Sequence, residues 1–377
     1  MARALAGRPD HKTGRPCYLC SGRDMYYFEP AVEHPYGFFK TMKLSDFDYS
    51  LPEHLIAQEP LHERDEARLL VVDRKAGTVQ HDVFKNLREH LPPGGVLVLN
   101  NSRVIPARLL GQKQRSGGQV EIFLLKRCED PQTFETLLRP TRKIKQGDVI
   151  EFKGADLTAE IIDKEKRVVR FDRKDVLTYL TRVGHIPLPP YIKRADTPDD
   201  RTFYQTVYAK HFGSVAAPTA GLHFTKPLLQ QLRASGHRVL ELMLHVNYAT
   251  FKPVEEEDVT RHQMHQEEYS VSQRTYEQIK RAKLDGKKIV AVGTTSCRTL
   301  EAISRTGNLK SATDLFLYPG CRFEMTDILI TNFHLPRSTL LMLVYAFGGT
   351  DLMRMAYQEA IQKEYRFYSY GDAMIIR

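Results

Sequence analysis

The sequence predicts an α/β protein with a small antiparallel β-barrel set into its chain. Two patterns carry that reading. Before residue 107 and after 182, short apolar runs alternate with helical periodicity, whereas between them six short strand-like runs follow one another with only turns between. Length agrees, since 377 residues exceed what one hydrophobic core usually serves and 42% apolar residues suffice for two. The expected division is residues 1–41 as an N-terminal extension, 42–106 with 183–377 as a discontinuous α/β domain, and 107–182 as the inserted barrel.

Taken in order, residues 69–72 (LLVV) and 96–99 (VLVL) are apolar runs bounded by the turn signals KAG at 75–77 and PPGG at 92–95, as buried strands require. The six barrel runs are 108–110, 120–124, 134–138, 149–152, 157–162 and 167–171, with Gly117-Gly118 and Gln146-Gly147-Asp148 as turns. Thr225 then suits the N-cap of a helix burying Leu228, Leu229 and Leu232, before a strand over 239–246. Ser272 suits the cap of a helix with Tyr276, Ile279 and Ala282 on one stripe, stopped at Gly286 before a strand at 288–292. A helix over 298–303 and a strand at 327–330 complete a βα succession.

A formal net charge of +9 favours polyanionic partners such as RNA. Residues 139–145 (RPTRKIK) fall in an expected loop between barrel strands, where cations reach phosphates; the second basic run, 280–288, reads as a solvated face. No apolar run approaches the roughly 20 residues of a membrane span and no secretory leader is evident, so a soluble cytoplasmic protein without membrane association is expected. Cysteines 17, 20, 128, 297 and 321 form no disulfide framework, and the C-x-x-C at Cys17 and Cys20 lacks the second ligand pair that zinc needs. His262 and His265 have no third ligand in sequence, so no metal is expected.

Residues 214–224 (SVAAPTAGLHF) spend small residues where an ordinary fold places bulk. Pro218 fixes one φ and Gly221 frees another, leaving Thr219 and His223 for hydrogen bonding or proton transfer. A tight structural crossing has the same composition. The style recurs in 331–336 (TNFHLP), 293–296 (GTTS) and 100–103 (NNSR), each after an apolar strand, where ligands of open α/β sheets collect. Gly293 to Ser296 open a helix whose free N–H groups suit a carboxylate or phosphate, or simply a cap. Asn101, Ser102, Arg103 and Arg108 flank the barrel entry, either clamping an anion or tying barrel to sheet. Tyr204, Tyr208, Phe367 and Tyr370 read as nucleobase platforms or as core. Neither G-x-G-x-x-G nor a Walker A sequence occurs, which disfavours an ordinary Rossmann methyltransferase.

These segments, with 204–208 (YQTVY) and 365–374 (YRFYSYGDAM), resemble the S-adenosylmethionine:tRNA ribosyltransferase-isomerases of the queuosine pathway, from Met42 to the C-terminus. Residues 1–41 lie outside the resemblance and read as sequence upstream of a start at Met42. The resemblance implies a Rossmann-like three-layer α/β domain with an inserted six-stranded barrel. It also implies S-adenosylmethionine as co-substrate without metal, and tRNA carrying 7-aminomethyl-7-deazaguanine (preQ1) as partner; a monomer is expected. The implied reaction moves the ribosyl unit of S-adenosylmethionine onto preQ1 at the wobble position, giving epoxyqueuosine, adenine and methionine. A non-catalytic RNA-binding protein and a conventional methyltransferase are the rivals.

That reaction needs a base beside the sulfonium, an acid for departing adenine and a positioned amine. The expected catalytic residues are His223 or His245 as base, with Asp327 or His334 assisting the leaving base. The expected binding residues are Asn101, Arg103, Arg108, Pro218, Thr219, Gly221, Thr294, Thr295, Ser296, Asn332 and Phe333. One stretch departs from the family pattern: Asn247, Tyr248 and Ala249 stand where a Gly-Leu-Gly run is usual, which leaves them off that site.

Overall fold

A computed structural model describes residues 42–248 and 254–377. Two sheets dominate it. The elements run β1 (Arg68–Asp73), β2 (Thr78–Val83), β3 (Val96–Asn100), β4 (Ser102–Val104), β5 (Arg108–Lys113), β6 (Gln119–Arg127), β7 (Thr133–Arg139), β8 (Val149–Glu151), β9 (Thr158–Asp163), β10 (Val168–Phe171), α1 (Val176–Val183) and β11 (Gly184–His185). There follow α2 (Asp200–Phe203), β12 (His211–Ser214), α3 (Lys226–Ala234), β13 (Arg238–Leu244), β14 (Glu267–Ser270), α4 (Gln273–Leu284), β15 (Ile289–Val292), α5 (Thr294–Thr306), β16 (Lys310–Thr313), β17 (Ile328–Asn332), α6 (Thr339–Gly348), α7 (Thr350–Gln362) and β18 (Ala373–Ile376).

The larger sheet is mixed, nine strands in the order β16-β14-β13-β3-β15-β17-β18-β1-β2, with β13, β3, β15 and β17 mutually parallel at its centre. Strand side chains alternate in direction, so a strand apolar at every position must be covered on both faces. Val96 and Val98 of β3 join one apolar cluster with Ile279, Leu300 and Met353 from α4, α5 and α7. Leu97 and Leu99 join the other with Phe84, Phe224 and Leu232. The expected caps are in place: the hydroxyls of Thr225 and Ser272 accept from the N–H groups of Leu228 and Thr275 at 3.2 and 3.1 Å.

The smaller sheet closes on itself. Its order is β11-β5-β6-β7-β10-β9-β8 with β8 also paired to β5, which makes a six-stranded antiparallel barrel with β11 as a flange. Closure removes the exposed edges that six short strands would otherwise present. The barrel encloses its own core, Leu109, Ile122, Leu138, Ile150, Ile161 and Val169 among it. At Gly184, where the chain leaves the barrel, a Cβ would lie 2.2 Å from the Pro106 carbonyl oxygen, so only glycine fits. The parallel ribbon of β12 on β4 links the two parts, and just beyond it Val215 packs into the barrel core.

Cys17, Cys20 and Ala249 lie outside the described residues. Among the described residues no helix is long and apolar enough to cross a membrane, and no group of three or more His, Cys, Asp or Glu is placed to hold a metal. The Nδ1 of His262 lies 2.9 Å from Glu256 Oε2, and its ring stands edge-on to Phe316.

Candidate active site

At the carboxyl ends of β15 and β17 a cleft of about 670 Å³ opens. Its walls come chiefly from four segments distant in sequence, Ala216 to Ala220, Gly293 to Thr295, Thr331 to Leu335, and Tyr368 with Ser369, to which Tyr191 and Val246 add. Parallel β15 and β17 point their carboxyl ends one way, so the loops following them meet there, as open α/β sheets require, and the segment after β12 joins them.

Gly293 holds φ at +87°, a left-handed value that L side chains rarely adopt, and from it α5 starts directly beneath the cleft. Thr294 and Thr295 line the opening over the unpaired N–H groups of that first turn. Behind them sits Asn100, fully buried. Its Oδ1 accepts from the N–H groups of Ser102 and Leu244 at 3.1 Å each, while Nδ2 donates to the Leu244 carbonyl at 3.0 Å and to Thr295 Oγ1 at 3.2 Å. Asn100 thereby ties β3, β13 and α5 together at the cleft floor.

Opposite, β17 ends in Thr331 and Asn332. The Asn332 amide donates to His223 Nε2 at 3.0 Å, leaving Asn332 Oδ1 buried with no hydrogen-bond partner. An orphaned buried acceptor is costly, and its natural complement is an N–H of a ligand. His334 lines the cleft and shares a 2.7 Å hydrogen bond with Thr331 Oγ1; its main chain is held by the hydroxyls of Tyr357 and Tyr49. Burial pushes the His334 imidazole down to about 3. His223 is driven down to about 4, mainly by burial, with the Arg64 and Arg366 cations adding and a backbone hydrogen bond at Arg64 opposing. Both rings are therefore neutral at physiological pH.

The fourth wall is aromatic. Tyr368 sits at φ +69°, rare for a non-glycine residue, and packs its ring 4.6 Å from that of Tyr191, whose hydroxyl is 2.6 Å from Ser369 Oγ. Burial raises both phenols well above their ordinary value, so they remain neutral donors.

Of the residues expected from sequence, Pro218, Thr219, Thr294, Thr295, Asn332, Phe333 and His334 line this cleft. His223 touches it through Asn332 while lining a smaller neighbouring cavity of about 290 Å³ with Arg64, Ser369 and Tyr370. The Phe333 ring is no free platform, being packed among Tyr357, Tyr365 and Phe367. Ser296 is fully buried beneath the opening.

The other residues named from sequence lie outside the cleft lining. Asp327 precedes β17 and so lies at its amino end, where Oδ2 accepts from the N–H of Ile289 at 2.9 Å and from Lys283 at 3.1 Å; five strand residues, about 16 Å, separate it from the cleft. The Asn101 amide donates to Glu241 at 3.0 Å, away from the cleft, because successive strand residues face opposite sides. Arg103 is exposed and stacks on Phe212, and Arg108 pairs with Glu121 across the barrel wall at 3.0 Å. Gly221 is required by packing, since a Cβ there would lie 2.1 Å from the Tyr208 hydroxyl. His245 lies against Gly213 of β12, where a Cβ would come 2.5 Å from its ring; burial lowers its pKa. Tyr204, Phe367, Tyr208 and Tyr370 are core residues. Asn247 donates its N–H to Glu267 at 3.0 Å and Tyr248 packs edge-on to Phe123 of the barrel, so neither is in the cleft.

The sequence reading missed Asn100, Tyr191, Tyr368 and Ser369. Asn100 stood one residue from Asn101, and a fully apolar strand gives no alternation from which to tell their directions.

Residues 44–376 match the family model described as queuosine biosynthesis protein. The chain is 48% identical over 337 residues to the S-adenosylmethionine:tRNA ribosyltransferase-isomerase of Sulfurihydrogenibium sp., covering 89% of this chain and all of that protein. It is 47% identical over 344 residues, with the same coverage, to the enzyme of that name from Clostridioides difficile. The crystal structure of S-adenosylmethionine tRNA ribosyltransferase from Thermotoga maritima aligns over 88% of this chain and all of that one, with a TM-score of 0.51 and 37% identity. On this coverage, the chain belongs to the S-adenosylmethionine:tRNA ribosyltransferase-isomerase family of queuosine biosynthesis.

Proposed function

We propose that this enzyme transfers and isomerises the ribosyl unit of S-adenosylmethionine onto the aminomethyl nitrogen of preQ1 at the tRNA wobble position, giving epoxyqueuosine with release of adenine and methionine. The observation that supports this best is the composition of the cleft, which pairs a helix N-terminus and an orphaned amide oxygen with a neutral buried imidazole. The sulfonium of S-adenosylmethionine is itself the electron sink and leaving group, so the protein has to supply binding, orientation and proton transfer.

His334 faces the cleft and takes the proton beside the sulfonium. The protonated ring can then pass that proton to departing adenine. Asn332 Oδ1 accepts from the substrate amine and aligns its lone pair, while His223 holds the Asn332 amide in the orientation this needs. Thr294, Thr295 and the first N–H groups of α5 receive the carboxylate of the methionyl part. Tyr191 and Tyr368, packed on each other, form one aromatic wall against which a planar base lies.

The same reading takes residues 42–106 and 183–377 as one Rossmann-like three-layer α/β domain, 107–182 as the inserted barrel, and the working unit as a cytoplasmic monomer needing no metal. Incubation with S-adenosylmethionine and preQ1-tRNA tests it by product. Adenine and methionine are expected; S-adenosylhomocysteine would point to methyl transfer instead, and intact cofactor with bound RNA to a non-catalytic binder.

A further inference from the structure

The two ends of the barrel differ in charge. At the end where the chain enters, Arg170 faces Asp130 at 3.5 Å and Arg173 pairs with Asp156, and Glu129, Asp172 and Asp175 lie on the same turns, so cations and carboxylates are nearly balanced there. At the far end three connections meet. Gln114 donates its N–H to the Val149 carbonyl at 2.9 Å, Gly147 to the Ile161 carbonyl at 2.8 Å, and Thr136 Oγ1 to the Arg167 carbonyl at 2.8 Å, which laces the β5–β6, β7–β8 and β9–β10 turns into one surface.

That surface carries Arg115 on the first turn, Arg142, Lys143 and Lys145 on the second, and Lys166 and Arg167 on the third, all exposed. None of the six makes an ion pair within the described residues, although Lys113 beside them is paired with Asp148 at 2.7 Å. On these laced turns, anchored by buried Ile144, the cations outnumber the carboxylates Asp148, Asp163 and Glu165, which leaves a net positive field.

We infer that this cationic crown docks the sugar-phosphate backbone of the substrate tRNA outside the reacting nucleoside. The inference rests on the function just proposed and extends it to where the rest of the RNA lies. Val215 packs in the barrel core while its neighbour Ala216 lines the cleft, so the barrel adjoins the reaction site. The crown stands one strand length, about 20 Å, beyond that junction, a distance an RNA stem spans while its loop nucleoside enters the cleft. Contacts of this kind carry little sequence information; they fix register and raise affinity.

The test uses the full chain with Arg142→Gln/Lys143→Gln/Lys145→Gln, and Arg170→Gln/Arg173→Gln as the control at the other end. The Kd for full-length preQ1-tRNA is measured across a salt series, together with kcat and both KM values. The crown variant is expected to weaken tRNA binding roughly 10-fold or more at low salt and to reduce the slope of log K against log salt by about 2 to 3. Its KM for tRNA should rise with KM for S-adenosylmethionine unmoved and kcat within about twofold, and the control should match wild type. Equal Kd and salt slope in wild type and crown variant would overturn the inference. So would crown-dependent capture by vesicles of acidic phospholipid with tRNA affinity unchanged. A wild type that binds tRNA but consumes no S-adenosylmethionine would defeat the proposed reaction and still leave the Kd comparison decisive for the crown.

Discussion

His223 and His334 are buried imidazoles whose folded-state values, about 4 and about 3, lie below the ordinary 6.5. The unfolded chain therefore binds more protons in that interval, so stability falls as pH drops from about 6.5 toward 4 and is unaffected by these groups above it. We expect the melting temperature of wild type to fall over this range and that of His223→Gln to fall less steeply; parallel curves would count against a neutral buried His223. Gly221 makes a second forecast at this scale. Gly221→Ala drives a methyl into the Tyr208 hydroxyl and should destabilise by about 1 to 3 kcal/mol, with Tyr208→Phe restoring part of it by removing that oxygen. No recovery in the double variant, read by denaturant melts, would show that the clash lies elsewhere.

Among the elements, much of the architecture could be read in advance because the inner strands β1, β3 and β15 of the large sheet are near-continuous apolar runs bounded by turn residues, and because Thr225 and Ser272 carry the oxygens their helices need; the polar edge strands β2, β14 and β16 gave no such signal. The six barrel strands were legible from their close spacing and their turns, which carry Gly117, Gly118 and Gly147. Direction along and across a strand was not. Asp327 was read as the first residue of its strand and still assigned to the site, although the residue before β17 lies at the end away from the cleft, and Asn101 was chosen over Asn100 although side chains alternate. Asn100 supplies the prediction here. Asn100→Ala removes the amide that joins β13 to Thr295, leaving the buried N–H of Leu244 unpaired, which costs about 1 to 3 kcal/mol. It should also loosen the start of α5 and raise KM for S-adenosylmethionine more than it lowers kcat; a variant with wild-type KM would show that Thr295 keeps its place without Asn100.

For the whole molecule, the convergence of three loops, at 216–220, 293–295 and 331–335, on one cleft followed from the sequence through the rule that ligands collect at strand carboxyl ends, whereas the expected fourth, 100–103, lies outside its lining. The C-terminal wall did not, since Tyr368 and Ser369 are brought there by β18 pairing antiparallel beside β17, a long-range contact that no local pattern announces. Nor did the charge polarity of the barrel, which depends on three turns separated by up to about 50 residues of chain meeting at one end. What unites these scales is the claim that the cleft around Asn332 is where S-adenosylmethionine gives up its ribosyl group. Its most direct measurement is single-turnover release of adenine from enzyme saturated with S-adenosylmethionine and preQ1-tRNA, comparing wild type with Asn332→Ala at matched melting temperature. Stoichiometric adenine from wild type with a rate at least about 100-fold lower in the variant, roughly 2.7 kcal/mol of barrier, is the predicted result; equal rates would place the chemistry elsewhere in the protein.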